Sequence, residues 1–213
     1  MVNFVNGQVP ANDVNLNKLQ TDLYNAINTA ITNLQTLIEA ETGQKVYEHT
    51  FTTNTNDLTI NLEQAGFSIE DGDVFEILFV GSLASNESGT VETLAILPNG
   101  SSSFATQRMY LTEFANNAVS TIGNGTVGVK NSLPRIARGN SNFRTICKTI
   151  MNFKGGYLSS SLDYASTRAD TGSISGKANA LVGTIQSISS LKIDGVAENT
   201  YITAGSKLII YKK

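Results

Sequence analysis

Residues 15–42 read NLNKLQTDLYNAINTAITNLQTLIEAET and contain neither glycine nor proline. Apolar side chains recur along this stretch at spacings of seven, four, three, four and three residues, which is the pattern of a heptad repeat. The positions of this apolar seam are Leu16, Leu23, Ile27, Ala30, Leu34 and Leu37. The spacing predicts one long amphipathic helix that ends at Gly43, because glycine is common just beyond helix ends.

A second apolar stripe lies beside the seam and contains Leu19, Ala26, Ile31 and Ile38. The apolar face is therefore broader than a two-stranded coiled coil needs, and we expect three parallel helices to bury it. The opposite face is rich in Asn and Thr, which are poor helix formers, so the isolated helix would have little stability of its own. The alternative is an amphipathic helix that packs on its own globular domain.

After Gly43 the chain changes to an alternation of apolar and polar residues, which is the period of a β-strand. Strands are expected at residues 58–62, 74–80, 91–97, 104–111, 143–153, 157–164, 185–193 and 208–211. Turn clusters such as Glu70–Asp73 and Gly139–Ser141 separate them. No long helical period follows residue 45, so the crossover helices of a parallel sheet are missing. We predict a mainly β protein with an N-terminal helix: a trimeric coiled-coil stalk followed by an antiparallel β-sandwich of jelly-roll type.

The composition excludes several classes of protein. There are 15 Lys and Arg against 18 Asp and Glu, and no basic cluster is present that would displace counterions from nucleic-acid phosphates. No run approaches the roughly 20 apolar residues of a membrane span, and the N-terminus lacks the segments of a cleaved signal peptide. We therefore expect neither a nucleic-acid partner nor insertion into a membrane. We also expect the protein to be made in a cytoplasm.

Residues suited to catalysis or metal binding are scarce. The single cysteine, Cys147, is expected to be a buried strand residue, and the single histidine, His49, has no second His or Cys with which to share a metal ion. The hexapeptide GNGTVG at residues 123–128 has the spacing of a dinucleotide-binding loop, but no helix follows it, which favours a turn between strands. The carboxylates of Glu70–Asp73 are expected to form a solvated turn. We predict no enzyme activity, no cofactor and no metal site.

One stretch has the composition of a ligand-binding surface. Residues 154–170 contain two tyrosines, two acidic residues, an arginine and many hydroxyl groups. Aromatic faces stack on sugar C–H groups, and carboxylates accept hydrogen bonds from sugar hydroxyls. A carbohydrate site here would use Tyr157, Asp163, Tyr164 and Arg168. The alternative is an ordinary strand and its loop, with the tyrosines in the core.

Stretches at the two ends of the chain resemble proteins of one class. The N-terminal sequence NFVNGQVPANDVNLNK (residues 3–18) is similar to the start of many tail-fibre, baseplate and other appendage proteins of bacteriophages, in which such a stretch precedes a helix. The C-terminal sequences LKIDG (residues 191–195) and ITAGSKLIIY (residues 202–211) are similar to the closing strands of β-sandwich domains in phage structural proteins.

This resemblance implies a virion appendage without enzyme activity. It implies an attachment segment at residues 1–14, a helical coiled-coil stalk at 15–44 and a distal β-sandwich head at 45–213. Attachment to the particle would fall to Asn3, Phe4, Val5, Asn6, Gly7, Val9 and Pro10. The expected partners are further copies of this chain, another virion protein and a host cell-surface glycan, and the expected location is the virion.

Two other functions fit the same resemblance. One is a structural or decorating virion protein, such as a head fibre or a tail adaptor, that binds no receptor. The other is a glycan-degrading appendage, which would need two carboxyl groups facing each other across a groove. The sequence shows no such pair, so a receptor-binding fibre is the leading hypothesis.

Overall fold

The computed structural model of the protein describes residues 13–85, 91–115, 118–124, 133–140, 143–168 and 172–213. The chain divides into two compact units between Thr42 and Gly43. The first contains the N-terminal helix, and the second contains all of the described strands.

Helix α1 spans Asp13–Thr42 and is 30 residues long, which corresponds to about 45 Å. Its C-terminal end lies where the sequence predicts it, because Gly43 follows with a φ of 83°, a left-handed backbone that glycine adopts without strain. On the polar face, three threonine hydroxyls each donate to the carbonyl oxygen four residues earlier: Thr29, Thr32 and Thr36. These hydroxyls are therefore satisfied within the helix itself.

Within the described residues, the second unit contains thirteen strands and one short helix. The strands are β1 (Gln44–Thr50), β2 (Asp57–Asn61), β3 (Val74–Ala84), β4 (Val91–Pro98), β5 (Thr106–Ala115), β6 (Ala118–Asn124), β7 (Arg135–Asn140), β8 (Arg144–Lys154), β9 (Tyr157–Arg168), β10 (Gly172–Gly183), β11 (Ser190–Gly195), β12 (Tyr201–Ile202) and β13 (Lys207–Lys212). The short helix α2 (Leu62–Ala65) directly follows β2. The prediction of a mainly β protein with an N-terminal helix is confirmed.

The strands form two sheets, and every pairing between the described strands is antiparallel. The large sheet has the order β1-β13-β3-β8-β9-β10-β5-β6, with β12 paired to β3, and the small sheet has the order β2-β11-β4-β7. Strand β7 of the small sheet contacts β8 and β9 of the large one. The hydroxyl of Thr149 on β8 donates to the carbonyl of Arg135 on β7 at 3.2 Å. The predicted antiparallel, sandwich-like architecture is thus confirmed.

One hydrophobic core contains side chains from both sheets. Strand β8 shows its construction most clearly, because burial alternates residue by residue along it. Its core-facing positions include Cys147 and Met151, both fully buried, whereas Lys148 lies on the opposite face. The prediction that Cys147 is a buried strand residue is confirmed.

Five of the described strands are absent from the sequence prediction: β1, β6, β7, β10 and β12. Strand β7 includes Gly139 and Asn140, which the residue types assign to a turn. Strand β10 lies inside the large sheet, yet its core-facing residues are mostly small and include Ala178 and Ala180, so its period-two signal is weak. The errors at β7 and β10 come from residue types that are poor strand formers but fit where neighbouring strands cover them.

Two predicted strand ends are also corrected. The strand expected at 185–193 begins only at Ser190. The strand expected at 58–62 ends at Asn61, whose side chain accepts a hydrogen bond from the backbone N–H of Gln64 at 3.1 Å. Asn61 is therefore the N-cap of α2, and a capping side chain ends the strand where apolar alternation alone would continue it.

Candidate functional site

The apolar seam of α1 is exposed in the described chain. Side chains of the seam and of the second stripe expose between 48% and 66% of their surface: Leu19, Leu23, Ile27, Ile31 and Leu34. Ala30 is exposed as well, and the side chains of Leu16 and Leu37 lie outside the described residues. A row of large apolar side chains on one helix face is the kind of surface that association with other helices buries.

The predicted attachment residues lie outside the described residues. They are Asn3, Phe4, Val5, Asn6, Gly7, Val9 and Pro10. The last four residues of the GNGTVG hexapeptide, 125–128, also lie outside them, and its first two residues, Gly123 and Asn124, are the end of strand β6.

Strand β9 carries the four predicted receptor residues but does not present them as one surface. Tyr157 is 43% exposed, and the exposed Asp163 forms an ion pair with Lys177 of β10 at 3.1 Å. Tyr164 is only 5% exposed and belongs to the core. The side chain of Arg168 lies outside the described residues.

The prediction of a stacking face is therefore corrected for Tyr164. Successive side chains of a strand point to opposite faces, so residues seven apart, such as Tyr157 and Tyr164, lie on opposite sides of the sheet. Tyr157 shares the outward face with Asp163, while Tyr164 faces the small sheet. The alternative interpretation, in which Tyr164 is a core residue, is correct.

The hydroxyl of Tyr164 belongs to a polar cluster between the sheets. It donates to Oε2 of Glu113 at 2.7 Å, and Nε of Arg138 donates to the same oxygen at 2.6 Å. Nη1 of Arg138 also donates to Oγ1 of Thr93 at 3.0 Å. Because Glu113 and Tyr164 belong to the large sheet and Arg138 and Thr93 to the small one, the cluster ties the two layers together.

Burial dominates the electrostatics of this cluster. The side chains of Arg138 and Glu113 are only 14% and 12% exposed. Burial, and then the hydrogen bond to Glu113, raise the pKa of Tyr164 well above its usual range, so the phenol keeps its proton. Burial, and then the nearby charge of Arg138, lower the pKa of Arg135 to about 10. The ion-paired hydrogen bond from Arg138 to Glu113 crosses between the sheets, and the hydrogen bonds with Tyr164 and Thr93 hold its two ends.

Glu113 and Arg138 are not among the site residues predicted from the sequence. A usable signal is nevertheless present, because Met109, Leu111 and Glu113 occupy successive positions on the same face of β5, and the first two are buried. A carboxylate that continues a buried apolar alternation predicts a buried cationic partner. The partner itself lies 25 residues away on the other sheet and cannot be read from local pattern.

The two other residues considered for catalysis or metal binding, His49 and Cys147, pack against neighbouring side chains of the fold. The imidazole of His49 stacks on Tyr47 with ring centroids 6.5 Å apart and meets Phe51 edge-on at 4.6 Å. Burial raises the pKa of the Cys147 thiol. In the described part of the chain, no three His, Cys, Asp or Glu side chains are grouped so that they would hold a metal ion.

The acidic turn Glu70–Asp73 is a solvated turn, as the sequence predicts. Oδ2 of Asp73 accepts the backbone N–H of Glu70 at 2.8 Å. The same oxygen forms an ion pair with Lys212 at 2.8 Å. Its carboxylates thus stabilise the turn and the adjacent last strand.

Among the residues described, no helix is long and apolar enough to cross a membrane. Comparisons of the chain with protein-family models, with curated proteins and with solved structures each gave no match. Its function is therefore inferred from its own residues.

Proposed function

We propose that this protein is a non-enzymatic virion fibre of a bacteriophage. In this proposal α1 forms a parallel trimeric coiled coil, the segment before it attaches to the particle, and the β-domain, of jelly-roll type, binds the host cell surface. The sequence similarity of residues 3–18 and of the two C-terminal stretches to phage appendage proteins supports the assignment to a virion.

The exposed seam of α1 is the observation that carries the proposal. Leu23, Ile27 and Leu34 expose 60%, 48% and 59% of their surface, and burying the exposed half of such a side chain contributes about 1 kcal/mol. A trimer repeats this gain on three helices, which compensates for the low helix propensity of the polar face. The second stripe, with Leu19 and Ile31 exposed, favours three helices over two.

A structural or decorating virion protein without receptor binding is the second candidate. One observation favours it: the side chains that the sequence offers for a receptor site divide between the two faces of β9. Tyr164 is in the core, and Asp163 is paired with Lys177. Both candidates use the same stalk and the same attachment segment, so they differ only in what the β-domain contacts.

Sedimentation of the full chain tests the stalk. We expect three times the 22.8 kDa mass of one chain at micromolar concentration. Leu34→Asn is expected to dissociate the trimer or to raise its dissociation constant by at least tenfold, because it places three polar side chains in the seam. Thr32→Asn is the matched control, because it introduces the same residue, Asn, on the polar face of the helix. A monomeric parent chain, or equal effects of both variants, would contradict the proposal.

Particle assembly tests the rest. A chain that lacks residues 2–10 is expected to remain a trimer but to be missing from virions, as shown by imaging of purified particles. Binding of the intact trimer to host cells then separates a receptor-binding fibre from a structural protein. Release of new reducing ends from host polysaccharide would instead identify a glycan-degrading enzyme.

A further inference from the structure

A cleft of about 540 Å³ lies where β3, β8 and β13 meet the loop Thr203–Ser206. Ser82 of β3 and Arg144 of β8 are register partners and line it side by side. Lys207 of β13 is the register partner of Val80 and lines its other side. Because neighbouring strands lie about 4.8 Å apart and two residues along β3 span about 7 Å, the backbones that carry the two cations are about 12 Å apart across β3.

The loop that closes the cleft is held in a defined conformation. The hydroxyl of Thr203 donates to the carbonyl of Ser82 at 3.0 Å, and the backbone N–H of Ser82 donates to Oγ of the buried Ser206 at 3.2 Å. A Cβ on Gly81 would lie 2.1 Å from that Oγ, so only glycine lets the loop approach this closely. The backbone N–H of Ala204 donates to Oδ1 of Asn54 at 3.0 Å. The hydroxyl groups of the cleft are thus fixed by the fold.

The charged side chains among the described residues that line the cleft are both cationic, Arg144 and Lys207. Arg144 is exposed, and among the described residues no side chain forms an ion pair or a hydrogen bond with its guanidinium. The ammonium of Lys207 forms an ion pair with Glu48 at 2.6 Å. None of the described residues that line the cleft is acidic. The net charge at this point therefore comes from Arg144, whose forked donors suit the paired oxygens of a carboxylate or a phosphate.

We propose that this cleft binds the oxyanion of an acidic sugar, with Arg144 as the principal contact. The volume lies in the range of small-molecule sites and exceeds what a single inorganic anion fills. Ser82, Thr203 and the loop backbone at Ala204 and Gly205 line the remainder. The Thr203 hydroxyl donates to the carbonyl of Ser82, and its oxygen keeps lone pairs that can accept from a sugar hydroxyl. The inference rests on the proposed receptor-binding function, because it names the class of glycan that the β-domain would contact.

Titrations followed by the backbone amide NMR signals of Gly81, Ser82 and Gly205 in the full chain test the proposal. The probes are D-glucuronate, glucose 6-phosphate, inorganic phosphate and neutral methyl glucoside, at constant ionic strength and up to about 20 mM, above the millimolar Kd of a weak site. We expect saturable shifts with glucuronate or glucose 6-phosphate and none with methyl glucoside. Whichever of these two sugars binds with the lower Kd identifies the preferred oxyanion as a carboxylate or a phosphate.

Arg144→Gln is expected to weaken binding at least tenfold, because it removes the charge-assisted fork. Arg144→Lys keeps the charge but loses the forked donors, so its affinity for the acidic sugars should lie between those of the parent chain and Arg144→Gln. Arg108→Gln, at an exposed arginine on β5, is the matched control and should bind like the parent chain. Arg144 is exposed, so its replacement leaves the core unchanged.

Several results would overturn the proposal. These are the absence of saturable shifts with both acidic sugars, equal shifts with methyl glucoside, unchanged binding by Arg144→Gln, or inorganic phosphate binding as tightly as glucose 6-phosphate. Sedimentation of the same samples reports the trimer separately. A trimer that binds no acidic sugar would therefore contradict the anion site but not the trimeric stalk. A monomer that still binds the acidic sugars would contradict the stalk but not the site.

Discussion

Replacing Glu113 by Gln tests whether the polar cluster between the sheets stabilises the fold. Oε2 of Glu113 accepts hydrogen bonds from Nε of Arg138 at 2.6 Å and from the hydroxyl of Tyr164 at 2.7 Å. Gln keeps the size of the side chain and one acceptor oxygen for Tyr164. The variant therefore removes mainly the negative charge that compensates Arg138.

The expected loss follows from the burial of the pair. Removing one partner of a buried ion pair costs about 3–5 kcal/mol, because the remaining charge is uncompensated. Arg138 and Glu113 are 14% and 12% exposed, and Arg138 keeps its hydrogen bond to Thr93, so we expect about 2–3 kcal/mol. With a urea m-value of about 2 kcal/mol/M, the unfolding midpoint should fall by about 1–1.5 M.

Asp163→Asn is the matched control, because it is the same type of change in an ion pair between β9 and β10 of the same sheet. Asp163 and Lys177 are 56% and 72% exposed and 3.1 Å apart, and exposed pairs contribute less than about 1 kcal/mol. Unfolding is followed by circular dichroism at one protein concentration, because association also stabilises the folded state. Equal midpoint shifts for Glu113→Gln and Asp163→Asn would refute the reasoning.

A second substitution distinguishes lost compensation from a disturbed core. Adding Arg138→Met to Glu113→Gln removes the uncompensated charge and keeps most of the buried volume. We expect the double variant to recover at least half of the lost stability. A double variant that is less stable than Glu113→Gln would show that the loss comes from packing rather than from charge.

Two further results are expected. Burial alone would raise the pKa of Glu76, but its ion pairs with Lys148 at 2.9 Å and Lys213 at 3.1 Å outweigh burial and hold the pKa below the ordinary value of 4.5. The stability that Glu76 contributes is therefore present above pH 4.5 and is lost as the pH falls through the folded-state pKa. The urea midpoints of Glu76→Gln and of the parent chain should accordingly differ at pH 7 and converge in acid. The thiol of Cys147 is fully buried and its pKa is raised, so a thiol reagent should modify it only after unfolding, and rapid labelling of the folded chain would contradict this.

The parts of the fold that were predicted correctly depend on local pattern. The alternation from Arg144 to Lys154 identifies strand β8 and the inward direction of Cys147, because a period of two is visible within a few residues. The end of α1 at Gly43 was also predictable, because glycine adopts the left-handed backbone there. Both features are determined by residues within one element.

The parts that were missed depend on neighbours distant in the sequence. Strand β10 has small core-facing residues and becomes a strand because β9 and β5 pair with it on both sides. Strand β7 includes Gly139, where an added Cβ would lie 2.9 Å from the Thr145 side chain. A glycine that marks a turn by composition is here required by close packing, and only the position of β8 reveals this.

The candidate site illustrates how far the period of two can be used. Tyr157 and Asp163 are separated by six residues and share a face of β9, whereas Tyr164 is separated from Tyr157 by seven and must lie on the other. Sequence alone therefore excludes a single exposed surface that contains all three, provided that the strand has no bulge. Which face is buried depends on the second sheet, because Arg138 of the small sheet lies on the Tyr164 side of β9, where both side chains donate to Glu113. A cluster such as Ser82, Arg144 and Lys207 depends on register across three strands, so local spacing contains no signal for it.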